Sequence, residues 1–129
     1  MNIWIFNHYA ITPDLPGGTR HFDFSKELTE RGYNVTIFAS SFHYSLLRET
    51  KDYGKSSYII EDYDGVRFVW IKTSPYSRND WRRVLNMLSY SVRAYNVAKK
   101  IDIEKPDVII GSSVHLFAVY TAYLLSKYY

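Results

Sequence analysis

The sequence predicts a single α/β domain in which helices flank a mainly parallel sheet that also carries a β-hairpin. Three observations predict this class: short apolar runs rich in strand-forming residues, longer segments with helical spacing between them, and an Asp-Gly pair between two strand-like runs. The chain has 129 residues, a usual size for one domain with one hydrophobic core. We therefore treat residues 1–129 as one unit.

The first third of the chain predicts a strand, a helix and a second strand. Residues 3–6 and 35–39 are short apolar runs, which is typical of strands buried on both faces of a sheet. Residues 19–31 between them have apolar positions four apart, and Gly32 follows as a helix stop. Such a β-α-β unit is parallel and right-handed in nearly all known cases.

The middle of the chain predicts a loop and a hairpin. Residues 43–57 are polar, lack a clear period and are predicted to form an exposed loop. Residues 58–60 and 66–71 are strand-like and flank Asp64-Gly65, a pair typical of two-residue hairpin turns. We expect this antiparallel ribbon to interrupt or extend the parallel sheet.

The last third predicts a long helix, a third buried strand at 108–111 and a final helix at 115–126. In the long helix, residues 80–100, side chains recur at steps of three and four and define the apolar face of a core-facing helix; they are Trp81, Leu85, Leu88, Val92, Tyr95 and Ala98 or Lys99. The final helix is apolar on most sides, so we expect other parts of a protein to cover it on more than one side. We expect exposed apolar surface, and self-association through it, near Leu124, Leu125, Tyr128 and Tyr129.

Composition excludes several classes of protein. The 16 Lys and Arg exceed the 13 Asp and Glu by three, a bias too small to predict a nucleic-acid partner. There is no cysteine, hence no disulfide or thiolate zinc site, and no His or carboxylate pair has metal-ligand spacing. We expect neither a metal nor a cofactor. The chain lacks a secretory signal and any apolar run near the ~20 residues of a membrane span, so we expect a cytoplasmic protein.

Polar and glycine residues follow the predicted strands at their carboxyl ends, where ligands of parallel sheets gather. We expect one crevice formed by Asn7, His8, Ser40, Ser41, Ser112 and Ser113, with Gly17 and Gly18 following the first strand. His8 is either a ligand group or a structural residue.

The segment Gly17-Gly18-Thr19-Arg20 opens the first helix and is a candidate anion site. Glycines let backbone N–H groups approach a ligand, the helix dipole favours an anion there, and Arg20 suits a phosphate or carboxylate. The alternative is that the glycines only supply positive φ angles to a turn. The dinucleotide and P-loop fingerprints are both absent.

His115, at the start of the final helix, is the candidate catalytic residue. The positive end of a helix disfavours protonation, which keeps a neutral imidazole available as a hydrogen-bond donor or acceptor. The alternative is a histidine that caps or packs at a helix start.

A basic and aromatic cluster opens the long helix and consists of Tyr76, Arg78, Trp81, Arg82 and Arg83. It either lies against an anionic lipid surface or forms a solvated flank beside a core-facing helix.

Several segments together resemble retaining GT-B glycosyltransferases. More narrowly, they resemble the amino-terminal domain of the family-four bacterial enzymes that build O-antigen and capsular polysaccharides, including transferases of N-acetylfucosamine-type sugars. The segments are residues 3–10 (IWIFNHYA), 16–21 (PGGTRH), 27–28 (EL) with 31–37 (RGYNVTI), and 106–113 (PDVIIGSS).

The resemblance implies a Rossmann-like, acceptor-side domain of an enzyme that moves sugar from a nucleotide-sugar, with UDP-sugars expected, to a glycan or lipid-linked acceptor. It places Gly17 and Gly18 near the donor phosphates, His115 at the donor sugar, and Arg20 beside a phosphate. It also implies same-face attack helped by the donor diphosphate, without a protein nucleophile or metal, and a peripheral place at the inner face of the membrane.

The chain also departs from that family, because it carries neither a second, donor-binding domain nor the acidic pair that holds the donor there. We therefore expect a truncated amino-terminal domain that is inactive alone. Two alternatives stay open: half of a GT-B-shaped sugar-nucleotide epimerase, and a non-catalytic α/β binding module.

Overall fold

A computed structural model of the chain describes residues 1–15, 17–43, 45–77, 80–112 and 116–129, and it confirms the α/β class. A mixed sheet of five strands is flanked by helices. The elements are β1 (Asn2–Phe6), α1 (Arg20–Glu30), β2 (Asn34–Ser40), β3 (Phe42–His43), β4 (Arg48–Glu49), β5 (Tyr58–Tyr63), β6 (Val66–Ile71), α2 (Trp81–Lys100), β7 (Val108–Gly111) and α3 (Leu116–Tyr128).

The sheet has the order β5-β6-β2-β1-β7. Strand β1 is parallel to β2 on one side and to β7 on the other. Strand β2 is in turn parallel to β6. Strand β5 pairs antiparallel with β6 through a turn in which Asp64 and Gly65 have φ angles of 52° and 85°. Positive φ at both turn residues suits the right-handed twist of a hairpin. The antiparallel strand lies at the edge, so it extends the parallel sheet.

The segment predicted to be an exposed loop is partly anchored, which corrects that prediction. It contains the short antiparallel pair β3–β4, and His43 and Tyr53 are buried. The Tyr53 hydroxyl is hydrogen-bonded to Ser41 Oγ, and Lys51 Nζ lies 5.3 Å from the centre of the buried Trp70 ring. These contacts join residues 12 or more positions apart in the chain. The polar character of the segment alone therefore does not predict them.

Each face of the sheet has its own apolar core, because side chains alternate along the strands. On the α1 side, Phe22 of the helix packs with strand residues such as Ile5, Ile37 and Phe68. The other side has a larger set that spans β1, β2, β6, α2 and α3; it includes Trp4, Phe6, Phe38, Val69, Tyr90, Ala94 and Leu125. The five-residue strand β1 therefore contributes to both cores.

Helix α2 faces the sheet with a different set of residues from the one predicted. Its buried side chains are Asn86, Tyr90, Ala94, Val97 and Ala98. Most of the predicted stripe is instead exposed, with Trp81 at 63% and Val92 at 60% and with Leu85 and Leu88 between them. Only its carboxyl end meets the core, where Tyr95 is partly buried and Ala98 is fully buried. The prediction was wrong because α2 has side chains suited to packing on two opposite sides, and helical spacing alone does not say which side meets the sheet.

Helix α3 packs closely on β7 at Gly111. A Cβ at that position would lie 2.9 Å from Ala122 Cβ and 3.0 Å from Val119 Cα, so a glycine is needed there. Leu125 is fully buried, which corrects its predicted exposure, whereas Tyr128 and Tyr129 are exposed as expected. Within the described residues, no helix is both long and apolar enough to cross a membrane.

Candidate functional site

Asn7, almost fully buried at the carboxyl end of β1, connects the end of β7 to the start of α1. Its Nδ2 donates to Ser112 Oγ at 2.9 Å and also lies 2.7 Å from Nε2 of His21, in the first turn of α1. Its Oδ1 accepts a hydrogen bond from the Tyr9 backbone N–H at 2.9 Å. We call Asn7, His21 and Ser112 the Asn7 cluster. It brings together two segments that are about a hundred residues apart in the sequence, because parallel strands end at the same edge of a sheet.

His21 is partly buried, and its burial and one charged neighbour determine its protonation. Burial, followed by the positive charge of Arg20, lowers the pKa of the His21 imidazole from its ordinary value near 6.5. At neutral pH the ring is therefore uncharged and keeps one nitrogen as an acceptor, which suits the Asn7 amide beside it.

The predicted glycine segment lies at the surface immediately before α1. Gly17 is exposed with a φ of 130°, which agrees with a turn glycine. Gly18 differs, because a Cβ built there would meet nothing within 4 Å, so packing does not require a glycine at this position. Thr19 Oγ1 donates to Asp23 Oδ2 at 2.9 Å inside the first turn.

A groove of about 260 Å³ opens beside the Asn7 cluster, between α1 and the edge strand β7. We call it the α1 groove; its lining residues are Ile5, Arg20, His21, Phe24 and Ile110. Its walls are apolar, and Arg20 supplies an exposed cation that makes no ion pair with any residue the structure describes. The groove can therefore hold an apolar group whose anionic part meets Arg20.

His8 occupies a packing position. It is 1% exposed, and its ring stacks on Tyr90 of α2 at 4.7 Å between centroids and on Tyr9 at 4.4 Å. This packing favours the structural interpretation of His8, and a ligand role for it stays a prediction.

Ser113 and His115 lie outside the described residues, so their predicted roles stay predictions; Arg78 of the basic cluster also lies outside. Ser112, directly before that segment, belongs to the Asn7 cluster. Ser40 and Ser41 do not join the site: Ser40 Oγ lies 2.8 Å from Thr73 Oγ1, and Ser41 Oγ is bonded to the Tyr53 hydroxyl.

His21 was not predicted to be a site residue. The available signal was its place next to Arg20, directly after the glycine segment, but residues 21–24 look like ordinary helix packing positions. Among the described residues, no three His, Asp or Glu side chains come together as a metal site would require.

Comparisons with known proteins find no family model that matches the chain and no curated protein that matches it. A function must therefore be inferred from the fold, the site and the resemblance of the segments.

Proposed function

We propose that the chain is the acceptor-side domain of a retaining GT-B glycosyltransferase. The enzyme would move a sugar from a UDP-sugar to a glycan or lipid-linked acceptor in the synthesis of cell-surface polysaccharide, in the cytoplasm. One observation carries the proposal: the Asn7 cluster joins the segment 16–21 to the segment 106–113, and these are two of the segments on which the resemblance rests.

The proposal requires the glycine segment and the segment of His115 to serve one ligand. Ser112, hydrogen-bonded to Asn7, stands three positions before His115 in the sequence. Arg20 and His21 stand on the other side of Asn7, in the first turn of α1. The meeting of Ser112 and His21 at Asn7 supports a shared site, in which the resemblance gives the sugar contact to His115 and the phosphate contacts to Gly17, Gly18 and Arg20.

The charge at the site supports a diphosphate ligand. Arg20 is exposed and free of ion pairs within the described part of the chain, and its planar guanidinium can donate two parallel hydrogen bonds to a phosphate. The neighbouring His21 is uncharged at neutral pH, so it contributes hydrogen bonding rather than charge. A single accessible cation at the mouth of an apolar groove favours an anion that carries a bulky neutral part.

The experiment is a titration of the chain with UDP-N-acetylglucosamine, followed by amide chemical shifts in NMR and by calorimetry. We expect the largest shifts in residues 17–21 and at Ser112. The variant Arg20→Gln should weaken binding by roughly 10- to 100-fold, because a hydrogen bond to a charged group contributes about 1.5–3 kcal/mol.

The matched control is Arg31→Gln. Arg31 is an arginine at the other end of α1, exposed and paired with Glu27 at 3.0 Å, so its removal should leave the affinity unchanged. Equal losses in both variants would indicate general charge attraction. No chemical-shift change at residues 17–21 or Ser112, even at a large excess of the nucleotide-sugar, would contradict donor contacts in this domain and favour a non-catalytic binding module.

A further inference from the structure

Helices α2 and α3 lie side by side and present large apolar side chains to solvent, on the sides that face away from the sheet. On α3, Leu116 is 81% exposed and Tyr120 and Tyr123 are more than half exposed, while Ala118, Thr121, Ala122 and Leu125 are buried. We call the outward set on the two helices the outer face; it consists of Trp81, Leu85, Leu88, Val92, Leu116, Tyr120 and Tyr123.

The outer face is continuous across the two helices. A groove of about 390 Å³ runs between them, and its walls include Leu88 and Val92 of α2 and Phe117, Tyr120 and Leu124 of α3. A contiguous apolar surface of this kind on a folded protein marks a site of contact with a partner or with lipid.

The two helices that carry the outer face contain no acidic residue. Helix α2 has five cations and α3 has one, which makes six in all, whereas α1 on the other side of the sheet has two cations and three acids. Four of the six are exposed, namely Arg82, Lys99, Lys100 and Lys127. The acid nearest along the chain, Asp80, caps α2 and lies 3.8 Å from an Arg82 nitrogen.

Three of the four exposed cations, Arg82, Lys99 and Lys127, lie over aromatic rings on the same two helices. The Arg82 guanidinium is 5.2 Å from the Trp81 ring centre, and Lys127 Nζ is 5.2 Å from the Tyr123 ring centre. Lys99 Nζ lies 4.7 Å from the ring centre of Tyr128. Tryptophan and tyrosine rings together with Lys and Arg are the side chains that favour the interface between a bilayer and water, because each has an apolar body and a polar or charged tip.

We propose that the outer face docks on the surface of an anionic phospholipid bilayer. The aromatic and aliphatic side chains enter the headgroup region, and Arg82, Lys99, Lys100 and Lys127 contact lipid phosphates. Charge favours this occupant over a second copy of the chain, since a two-fold pairing would bring two helix pairs, each with six cations and no acid of its own, against one another. The inference does not depend on the proposed glycosyltransferase function.

The experiment uses the chain with vesicles of equal parts phosphatidylcholine and phosphatidylglycerol, and with vesicles of phosphatidylcholine alone. Of the three tryptophans, Trp4 and Trp70 are buried and only Trp81 is exposed, so a blue shift of tryptophan fluorescence reports entry of the outer face. We expect co-sedimentation and a blue shift with the anionic vesicles, both weakened by salt, and neither with the neutral ones.

The decisive variants remove apolar contact or charge from the outer face. Leu85→Glu with Leu88→Glu should weaken vesicle binding by roughly tenfold or more, because each leucine contributes about 1.5–3 kcal/mol when buried. The control for the effect of an added acid is Phe24→Glu, at an exposed position in the wall of the α1 groove on the opposite face, which should leave vesicle binding unchanged. Lys100→Gln with Lys127→Gln should weaken binding about 25-fold, at roughly fivefold per cation. Its control is Lys26→Gln with Arg31→Gln on α1.

These positions are exposed, except for the partly buried Lys26, so the variants should keep the far-ultraviolet circular dichroism of the unmodified chain. Equal binding to neutral vesicles, or equal losses in the outer-face and control variants, would overturn the proposal. A dimer in sedimentation without lipid that Leu85→Glu with Leu88→Glu abolishes would also overturn it and make a second copy the occupant.

Discussion

The two faces of the sheet are covered in different ways. On one face, α1 stands alone, carries charges of both signs, and leaves the α1 groove open beside the Asn7 cluster. On the other face, α2 and α3 bury a larger core and turn further apolar side chains outward. Polar groups that can orient a small ligand therefore gather on the first face, whereas an extended apolar and cationic surface lies on the second.

The comparison shows that the apolar side of a helix need not be its core side. Helix α2 meets the sheet through small or hydrogen-bonded residues: Ala94 and Ala98 allow close approach, and the Tyr90 hydroxyl donates to the Phe38 carbonyl at 2.5 Å. Its larger aliphatic side chains point away. Exposure of such an apolar stripe to water is unfavourable, which supports the membrane contact proposed for the outer face.

The sharpest test of this difference replaces one leucine on the core side of the helices and one leucine on the outer face with alanine. Leu125→Ala, at the core side of α3, should lower the free energy of unfolding by about 2–5 kcal/mol, since it opens a cavity in the core. Leu85→Ala, at a position 45% exposed on α2, should lower it by less than about 1 kcal/mol, since alanine favours the helix and no cavity forms. Urea unfolding monitored by circular dichroism measures both. Similar losses would mean that Leu85 packs in the core and that the outer face does not exist.

A second test compares two glycines, one on each side of the molecule. Gly111→Ala should destabilise the chain by about 1–3 kcal/mol, because the new methyl group overlaps Ala122 and Val119 of α3. Gly18→Ala should change stability by less than about 1 kcal/mol, because the space around it is open. The free energy of unfolding in urea is again the measurement.

The Gly18 variant also separates the two interpretations of the glycine segment. Should Gly18→Ala keep full stability yet lose affinity for UDP-N-acetylglucosamine, the glycine serves the ligand rather than the fold. Unchanged stability and affinity together would leave Gly18 without a role at the site. A loss of stability near that of Gly111→Ala would contradict the open surroundings of Gly18.

Strands β1 and β2 were predictable because apolar runs buried on both sides are distinctive in a sequence. The run 108–111 was also predicted to be a buried strand, and that burial was wrong, because β7 lies at the sheet edge with Val108 and Ile110 exposed. Residues 3–6 and 35–39 fall inside β1 and β2, and the Asp64-Gly65 pair correctly places the turn between β5 and β6. The meeting of Asn7 with Ser112 also follows from a general rule, that parallel strands end at one edge. In each case a local sequence pattern or a rule of sheet topology is sufficient to predict the feature.

The remaining features depend on contacts between distant residues. The core side of α2 is chosen by its fit to the sheet, and the anchoring of the loop depends on the pairing of Ser41 with Tyr53. The place of His21 in the site follows from how the first turn of α1 meets Asn7, not from its neighbours in the sequence. Helical periodicity and composition carry no information on any of these.

The smallest expected effect concerns protonation on the α1 face. Because the pKa of His21 is lowered in the folded chain, the unfolded chain binds a proton near pH 6.5 while the folded chain does not. The free energy of unfolding should therefore be constant above about pH 7, fall as the pH decreases through 6.5, and level off below the folded pKa. Urea unfolding at a series of pH values tests this, and His21→Gln should remove that part of the decrease.

The same titration can be followed directly at the His21 ring protons by NMR. The variant Arg20→Gln should raise the pKa of His21 part of the way to its ordinary value, because it removes the charge repulsion and leaves the larger cause, burial, in place. Arg31→Gln, at the far end of α1, should leave that pKa unchanged. A pKa above 6.5 in the unmodified chain would show that His21 is stabilised as a cation, and the Asn7 amide could then no longer donate to it as a neutral acceptor.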